Sequence, residues 1–237
     1  MAQADYLIEI RNMSKAYEQD GQTVRALDDI SLRVRQGEFI AVTGPAGAGK
    51  STLMQLIGCL EAPDTGSYLL DGRDVYDMPD LQLAQIRNQK IGFIFQEQNM
   101  LPTLSLEENL ALPLAYAGIP RADRKERVDA VLEQMNLTEM RKRLPHMLSR
   151  GERQLAAVAR ALVNDPSLIL ADEPTEALDP DSMRAVVRCM EELHAAEKTL
   201  LLITHDQDVA LCAKRVIKMQ EGRIVYDNAN VWGGDAE

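Results

Sequence analysis

Short apolar runs recur along the chain and predict buried β-strands. Three of them, residues 39–42 (FIAV), 168–171 (LILA) and 200–204 (LLLIT), are apolar at nearly every position instead of at every second one. A continuous apolar run is typical of a strand that is covered on both faces, as in a parallel sheet with helices on each side. Helical segments separate these runs, so the pattern predicts an α/β fold.

The N-terminal part, to about residue 35, has a different pattern, which predicts antiparallel strands. Residues 6–10 and 26–34 show short alternations of apolar and polar residues, and Asp20-Gly21 between them marks a turn. Residues 67–70, followed by Asp71-Gly72, repeat the combination of strand and turn. We therefore expect an antiparallel β subdomain beside the parallel sheet.

The middle of the chain has the spacing of amphipathic helices. Apolar residues such as Val128, Val131 and Leu132 fall on one helical face, with charged residues between them. A further amphipathic helix is predicted after Gly151. Together these segments predict an inserted α-helical subdomain at about residues 100–160.

Length and composition limit the class of protein. The chain has 237 residues, 46% of them apolar, which suffices for one α/β domain with a full core. We place that single domain at residues 5–227 and expect residues 228–237 to form a loose tail. No apolar run approaches the roughly 20 residues that cross a bilayer, and the N-terminus lacks the features of a signal peptide. These features predict a cytoplasmic protein.

Charge and cysteine content exclude other classes. The chain has 26 Lys and Arg against 37 Asp and Glu, and its net charge of −11 argues against broad contact with nucleic acid. Cys59, Cys189 and Cys212 are far apart and fit no metal-binding spacing. We expect them to be reduced thiols in apolar surroundings.

A phosphate-binding pattern, G-x-x-x-x-G-K-[ST], lies between an apolar strand and a predicted helix. Its glycines allow backbone N–H groups to surround phosphate oxygens, and the start of the helix adds partial positive charge. Lys50 is expected to reach the β- and γ-phosphates and Ser51 to bind Mg²⁺. A simple glycine-rich turn is the alternative, which the flanking strand and helix disfavour. The predicted nucleotide-binding residues of this loop are Gly44, Pro45, Ala46, Gly47, Ala48, Gly49, Lys50, Ser51 and Thr52.

Two carboxylates follow the apolar run at residues 168–171. Asp172 and Glu173 therefore come at the carboxyl end of a predicted parallel strand, where α/β proteins bind their ligands. Successive strand residues point to opposite faces, so the two carboxylates are free to take different roles. We expect Asp172 to bind Mg²⁺ and Glu173 to polarise the attacking water. A solvated acidic loop is the alternative, and the nearby phosphate-binding pattern makes it the weaker one.

Three polar residues complete the candidate site, although each is weak support by itself. His205 follows the run at residues 200–204 and is expected to donate to a γ-phosphate oxygen and to help orient water. Gln96 follows the apolar residues 91–95 and offers an amide to Mg²⁺ or water. Tyr17 offers an aromatic ring on which adenine can stack.

Taken in order, these segments resemble the ATP-binding subunits of ABC transporters over roughly residues 8–226. The resemblance implies a P-loop NTPase core with ATP and Mg²⁺ as cofactors. Residues 44–52 resemble the Walker A loop of that family and residues 168–173 its Walker B strand. Gln96 resembles the Q-loop glutamine and His205 the switch histidine.

Two further segments resemble the parts of the family that act across a dimer. Residues 148–154 resemble the signature region, and Leu178-Asp179 resembles the D-loop. The resemblance implies that two copies enclose two ATP molecules head to tail, and that closure drives integral membrane permease subunits at the cytoplasmic face of the inner membrane. The residues expected to act in the partner's site are Ser149, Arg150, Gly151, Glu152 and Asp179.

One branch of the family is the most similar. Residues 91–96, residues 101–104 and Glu108-Asn109 resemble the branch that serves lipoprotein release and macrolide or peptide export. Residues 97–118 mix apolar residues with prolines, and we expect them to form the docking surface for a permease. Ordinary packing of the helical insertion is the alternative.

The sequence departs from the family at two positions. The signature usually begins Leu-Ser-Gly-Gly, whereas residues 148–151 read Leu-Ser-Arg-Gly, so Arg150 stands where the family faces the partner's γ-phosphate. Glu176 follows Pro174-Thr175 at a position that is usually small. We expect a working ATPase subunit. The alternative is a nucleotide-binding regulatory subunit whose hydrolysis Arg150 attenuates, and a soluble ABC protein of DNA repair or translation is disfavoured because the chain has neither long insertions nor a second cassette.

Overall fold

The computed structural model describes residues 6–19 and 21–229, which form two β-sheets and a set of helices. In chain order the elements are β1 (Tyr6–Gln19), β2 (Gln22–Arg35), β3 (Phe39–Thr43), α1 (Lys50–Ile57), β4 (Thr65–Leu70), β5 (Arg73–Asp74), α2 (Asp80–Gln89), β6 (Ile91–Ile94), α3 (Leu106–Tyr116), α4 (Arg121–Gln134), α5 (Arg150–Leu162), β7 (Leu168–Asp172), α6 (Pro180–Ala195), β8 (Thr199–Ile203), α7 (Gln207–Ala210), β9 (Arg215–Gln220) and β10 (Arg223–Asp227), with two short 3₁₀ helices at Thr138–Met140 and Pro145–Met147.

The smaller sheet is antiparallel, as the N-terminal pattern predicts. Its strand order is β2-β1-β4-β5, and β1 pairs with both β2 and β4. The predicted turn at Asp20-Gly21 lies only partly within the described residues: Gly21 has a positive φ of 75°, and Asp20 lies outside them.

The larger sheet has the order β10-β9-β3-β8-β7-β6 and is parallel except for β10 at its edge. Alternate residues of β3 enter different hydrophobic cores. Phe39 and Ala41 pack among the helices, whereas Ile40 and Val42 pack towards the antiparallel sheet and α1. Both faces of this strand are therefore buried, which explains its continuous apolar run. The carboxyl ends of β3, β7 and β8 meet at one edge, where the candidate site lies.

The inserted helices α3, α4 and α5 pack on one face of the parallel sheet. Leu110, Leu132 and Ala159 are fully buried between them. Ser105 and Ser149 cap α3 and α5, each in a capping box with the glutamate three residues later. Together these three helices span residues 106–162.

Several elements were not predicted from the sequence. Helix α2 has no buried residue, so its sequence carries no amphipathic signal. The hairpin of β9 and β10 forms the sheet edge, and most β10 side chains face solvent, which weakens the alternation of apolar and polar positions.

The three cysteines are free thiols, as expected. Cys59 and Cys189 are buried and Cys212 is partly buried. Burial raises the pKa of each thiol to about 11, so all three remain protonated and unreactive at neutral pH.

The C-terminal tail is described only at its start. Asn228 is attached to β9, because Asn228 Oδ1 accepts from the Val216 N–H at 2.9 Å, and the Ala229 N–H donates to Asp227 Oδ1 at 3.0 Å. Residues 230–237 lie outside the described part, so a loose tail there stays a prediction. Among the described helices, none has both the length and the apolar character that crossing a membrane requires.

Candidate functional site

The loop between β3 and α1 packs closely against two neighbouring chain segments. Gly44 has a φ of 148°, and a Cβ there would lie 2.2 Å from the carbonyl oxygen of Met219. Gly49 has a φ of 96°, and a Cβ there would lie 2.3 Å from the carbonyl oxygen of Ala26. Both positions therefore require glycine for packing as well as for backbone conformation. The loop fits closely between β2 and the β9–β10 hairpin.

The side of this loop that carries Lys50 and the start of α1 is suited to binding an anion. Lys50 Nζ donates to the carbonyl oxygens of Gly44 at 2.8 Å and Pro45 at 2.9 Å, so its ammonium group lies across the loop. No side chain caps the N-terminus of α1. The first N–H groups of the helix are therefore not bonded to a capping side chain, and with Lys50 they favour phosphate.

Asp172, at the end of β7, meets this loop. Its carboxylate lies near the Ser51 hydroxyl and the charge of Lys50, and both act on its pKa. Burial raises the pKa of Asp172 above its usual value, helped by the charges of Glu173 and Glu176, while Lys50 and Ser51 act in the opposite direction. The Ser51 hydroxyl and the Asp172 carboxylate are hard oxygen ligands of the kind that Mg²⁺ prefers.

Glu173 is the first residue after β7 and is fixed by two contacts. Its N–H donates to the carbonyl oxygen of Ile203 at 2.9 Å, and its φ of 43° turns the chain out of the strand. Its side chain lies 2.8 Å, Oε1 to Nδ1, from His205. This hydrogen bond and the charge of Glu173 raise the pKa of His205. A positive φ in a residue other than glycine is a strained conformation that often marks functional sites.

Tyr17, in β1, lies beside the start of α1. Its hydroxyl donates to Glu61 Oε2 at 2.6 Å, and the nearby Thr52 side chain also acts on its pKa. Lys15 bonds to Glu61 at 3.0 Å, and its Nζ lies 5.5 Å from the centre of the Tyr17 ring. The sequence identified Tyr17 but missed Lys15 and Glu61, because 46 positions separate those two in the chain. Adenine stacking on Tyr17 stays a prediction.

Gln96 follows β6 and has an exposed side chain. The next residues are fastened to α5: Gln98 Nε2 donates to Gln154 Oε1 at 2.8 Å, and Arg160 donates to the carbonyl oxygens of Gln98 and Asn99, both at 2.7 Å. Helix α5 therefore connects the segment after Gln96 with the segment at residues 149–152. These contacts were not predicted from the sequence.

The polar residues of the signature segment bond within their own chain. Ser149 Oγ accepts from the Glu152 N–H at 3.2 Å, and Glu152 Oε2 accepts from the Ser149 N–H at 2.6 Å. The sequence pattern S-x-x-E is typical of such a capping box, whereas the family resemblance assigns both residues to the partner's site. Their proposed contacts across a dimer stay predictions.

Gly151 connects this segment to α6. A Cβ at Gly151 would lie 2.1 Å from Ser182 Oγ, so α5 and α6 touch there without space for a methyl group. The Ser182 hydroxyl donates to Asp179 Oδ2 at 2.6 Å, and Asp179 Oδ1 caps α6. The pair Asp179-Pro180 in the sequence indicates this helix start, because Asp favours the N-cap and Pro the first helical position.

The two departures from the family lie apart in the described structure. The Arg150 side chain is exposed and makes no hydrogen bond or ion pair with any residue in the described ranges. Glu176 is exposed too, and its charge helps to raise the pKa of Asp172 and His205. Within one chain, Glu176 therefore belongs electrostatically to the Asp172 and His205 region, and Arg150 does not pair with it.

Comparison with known proteins identifies the family. The profile described as "ABC transporter" matches residues 27–176. The chain belongs to the ABC transporter family. It is 46% identical over 224 residues to the macrolide export ATP-binding/permease protein MacB of Hyphomonas neptunium, covering 94% of this chain and 35% of that protein. It is 42% identical to the uncharacterized ABC transporter ATP-binding protein YknY of Bacillus subtilis, covering 92% of this chain and 95% of that protein.

The chain thus spans about a third of the length of the macrolide export relatives and nearly all of YknY. Among solved structures, the dimeric post-hydrolysis state of the ATP-binding cassette MJ0796, bound to ADP and Pi, superimposes with a TM-score of 0.86 at 35% identity. The match covers 93% of this chain and 97% of that one. These findings confirm the predicted family, its P-loop ABC ATPase fold and the likeness to the ATP-binding part of macrolide exporters.

Proposed function

We propose that the chain is the ATP-binding and hydrolysing subunit of a membrane transporter of the lipoprotein-release, macrolide-export or peptide-export type. One observation carries the proposal: Lys50 and Ser51 meet Asp172 at the sheet edge where Glu173 lies 2.8 Å from His205. Phosphoryl transfer needs cationic groups at the phosphates, a divalent cation and a group that orients the nucleophile. Each requirement has a candidate at this edge.

Each residue of the candidate site has a separate role in the proposed reaction. Lys50 and the loop N–H groups bind the phosphates. Ser51, Asp172 and Gln96 would hold Mg²⁺, which would neutralise the charge developing on the phosphates. Glu173 accepts a proton from the attacking water. His205 fixes the Glu173 carboxylate through Nδ1, which leaves Nε2 to contact a γ-phosphate oxygen.

Glu173→Gln tests this assignment. The substitution keeps the shape of the side chain but removes the base, so we expect ATP binding to persist and turnover to fall by about 10²–10⁴. Steady-state phosphate release and equilibrium nucleotide binding measure the two effects separately. Glu133→Gln, at an exposed position on α4, is the matched control and keeps wild-type turnover. Wild-type turnover in Glu173→Gln would remove Glu173 from its role.

The proposed partners are a second copy of the chain and integral membrane permease subunits. The dimeric state of the MJ0796 cassette supports the first partner. The permease that forms part of the macrolide export relatives supports the second. A peripheral position at the cytoplasmic face of the inner membrane follows from this assembly. In the dimer, Ser149, Arg150 and Gly151 are proposed to face the partner's phosphates.

Residues 97–118 are proposed as the permease docking surface. Two large apolar side chains are exposed there, Leu101 at 48% and Tyr116 at 81%. The backbone between them is rigid because buried Asn109 binds the N–H and carbonyl of Leu101 and the carbonyl of Leu104. A fixed backbone with exposed apolar side chains favours a partner surface over ordinary packing.

Cysteine crosslinking tests the docking surface. Leu101→Cys and Tyr116→Cys, in a Cys212→Ser background, are expected to crosslink to an integral membrane protein in native membranes. Val24→Cys, exposed on β2, is the control and gives no such product. Adducts of the two cysteines that contain only soluble proteins would contradict permease docking.

A regulatory subunit with attenuated hydrolysis is the second candidate function. The unpaired Arg150 favours it, since a guanidinium at a closing interface repels Lys50 of the second copy. Steady-state ATP hydrolysis by the assembled complex separates the candidates. Turnover that rises severalfold in Arg150→Gly supports attenuation, and turnover that falls supports the working ATPase.

A further inference from the structure

The loop that follows α1 is fastened to strand β1 by three hydrogen bonds. Lys15 Nζ donates to the carbonyl oxygen of Ala62 at 2.8 Å. The Ala16 N–H donates to Asp64 Oδ2 at 2.7 Å, and the Asp64 N–H donates to the carbonyl oxygen of Ser14 at 2.9 Å. These bonds fix the end of α1 against β1, so the two elements keep a constant relative position.

Glu61, in the same loop, is held by an ion pair that is largely shielded from water. Lys15 Nζ lies 3.0 Å from Glu61 Oε1 and 3.4 Å from Asp64 Oδ1, and the Lys15 side chain is only 14% exposed. An ammonium group so deeply placed requires acceptors around it. Charge therefore fixes the orientation of the Glu61 carboxylate.

The second oxygen of that carboxylate holds Tyr17. The Tyr17 hydroxyl donates to Glu61 Oε2 at 2.6 Å, the length of a hydrogen bond that is strengthened by the charge of its acceptor. Lys15 Nζ also lies over the Tyr17 ring, 5.5 Å from its centre. The ring is thus held at its hydroxyl by Glu61 and at its face by Lys15.

We propose that Glu61, oriented by Lys15, is a positioning residue that holds the Tyr17 ring ready to stack on the adenine of ATP. The inference rests on the proposed function and deepens it, because the family resemblance gives neither Glu61 nor Lys15 a role. A ring fixed in advance loses less conformational freedom when a base stacks on it, so more of the stacking energy contributes to affinity. Helix α1 begins at the phosphate-binding Lys50 and ends beside the loop that carries Glu61. One helix therefore sets the positions of both the phosphate site and the base site.

Equilibrium binding of two ligands to the full-length chain tests the proposal. ATP uses the phosphate loop and the Tyr17 ring, whereas inorganic tripolyphosphate has no base and uses only the loop. We expect Tyr17→Ala to weaken ATP binding by about 5- to 100-fold, the range that stacking of a base on an aromatic side chain supplies. Glu61→Ala is expected to weaken it by about 3- to 10-fold, since one hydrogen bond to the ring is lost. Both variants keep wild-type affinity for tripolyphosphate.

Tyr17→Phe separates positioning from stacking, because it keeps the ring and removes only the hydroxyl. We expect it to weaken ATP binding as much as Glu61→Ala does, with no further loss in the double variant, since both substitutions remove the same bond. Glu61→Gln keeps an acceptor for the hydroxyl and is expected to stay within about twofold of the wild type.

Glu9→Ala is the matched control on the same strand. Glu9 pairs with Arg11 at 3.3 Å and with Arg33 at 3.5 Å, near the other end of β1, so its removal leaves ATP affinity unchanged. Wild-type ATP affinity in both Glu61→Ala and Tyr17→Phe, with weak binding in Tyr17→Ala, would overturn the inference and leave the proposed function standing.

Two further outcomes count against the inference. An equal loss of ATP and tripolyphosphate binding in Glu61→Ala would overturn it, because Glu61 would then support the phosphate loop and not the ring. A wild-type chain that does not bind ATP would overturn the proposed function and the inference together.

Discussion

Two regions of the molecule use their charged side chains in opposite ways. The catalytic edge, formed by Lys50, Ser51, Asp172, Glu173 and His205, consists of side chains that meet one another. The signature face, formed by residues 149–152 with Asp179 and Ser182, consists of side chains that bond to the ends of their own helices.

The difference indicates how each region contributes to a site. In the catalytic edge as proposed, each charge lies beside another charge or a hydroxyl group of the same chain. The signature face is a rigid backbone frame from which Arg150 projects without an intrachain partner in the described residues. This arrangement is consistent with the proposal that these residues act on a second copy of the chain.

Gly151→Ala is expected to have the largest effect on the signature face. Helix propensity alone would make the change favourable by about 1 kcal/mol. The new Cβ would lie 2.1 Å from Ser182 Oγ, however, and overpacking of this kind costs about 1–3 kcal/mol. We expect net destabilisation, measured as a lower denaturation midpoint in urea.

Ser182→Gly provides the control for this prediction. The double variant Gly151→Ala with Ser182→Gly removes the overlap. We therefore expect it to lose less stability than the sum of the losses in the two single variants. Gly151→Ala with wild-type stability would mean that α5 and α6 do not pack as closely as described, and the rigid-frame view of the signature face would fail.

A double-mutant cycle on Arg150 and Glu176 sharpens the comparison, because it asks whether the two regions meet across a dimer. We expect Arg150→Gly and Glu176→Gly each to change ATP turnover of the assembled complex, with the double variant closer to wild type than the sum. An exposed pair is worth about 0–1 kcal/mol, and one dehydrated by closure is worth several times more.

The monomer provides an internal control for this cycle. Because Arg150 and Glu176 form no ion pair within the described chain, the coupling should vanish in measurements of monomer stability. Additive effects on the turnover of the complex would show that the departures are independent, and Arg150 would then act alone.

The smallest expected effect is the pH dependence of the Glu173–His205 pair. Glu173 raises the pKa of His205 above its unfolded value of about 6.5. The pair therefore contributes stability fully below pH about 6.5, and this contribution is lost as pH rises through the higher folded pKa. The contribution stays below about 1 kcal/mol because the imidazole is 65% exposed.

Proton NMR titration checks the direction of the shift. We expect the His205 resonance to titrate above pH 6.5 in the wild type, and nearer to 6.5 in Glu173→Gln. A wild-type His205 that titrates at or below 6.5 would remove the ion pair from the catalytic edge.

The sequence predicted the parts of the molecule that depend on local patterns. The continuous apolar strands, the glycine loop and the helical spacing of α4 and α5 are all signals within about fifteen residues. The sequence failed where structure depends on distant neighbours. Ser182 against Gly151 and Arg160 on the carbonyl of Asn99 are tertiary contacts without a local pattern.

Three residues of the signature face combine two roles. Ser149, Glu152 and Asp179 resemble residues that act on a partner, and the same residues cap helices within their own chain. Their positions fit both roles, because a residue that caps the start of a helix also lies at the exposed end of that helix. The family resemblance predicts the role across a dimer, and the local capping pattern predicts the role within the chain.

The contacts that Met219 and Gly222 make with the phosphate loop have a consequence for synthesis of the chain. The loop lies against Met219, and the Gly222 N–H donates to the Ala48 carbonyl at 3.1 Å while its own carbonyl binds the Asp28 N–H at 2.9 Å. Ribosomes release N-terminal residues first. A nascent chain that has not yet exposed residue 222 lacks these supports, even though its own phosphate-binding residues emerged long before. We expect nascent chains to bind ATP only after residue 222 has left the ribosome.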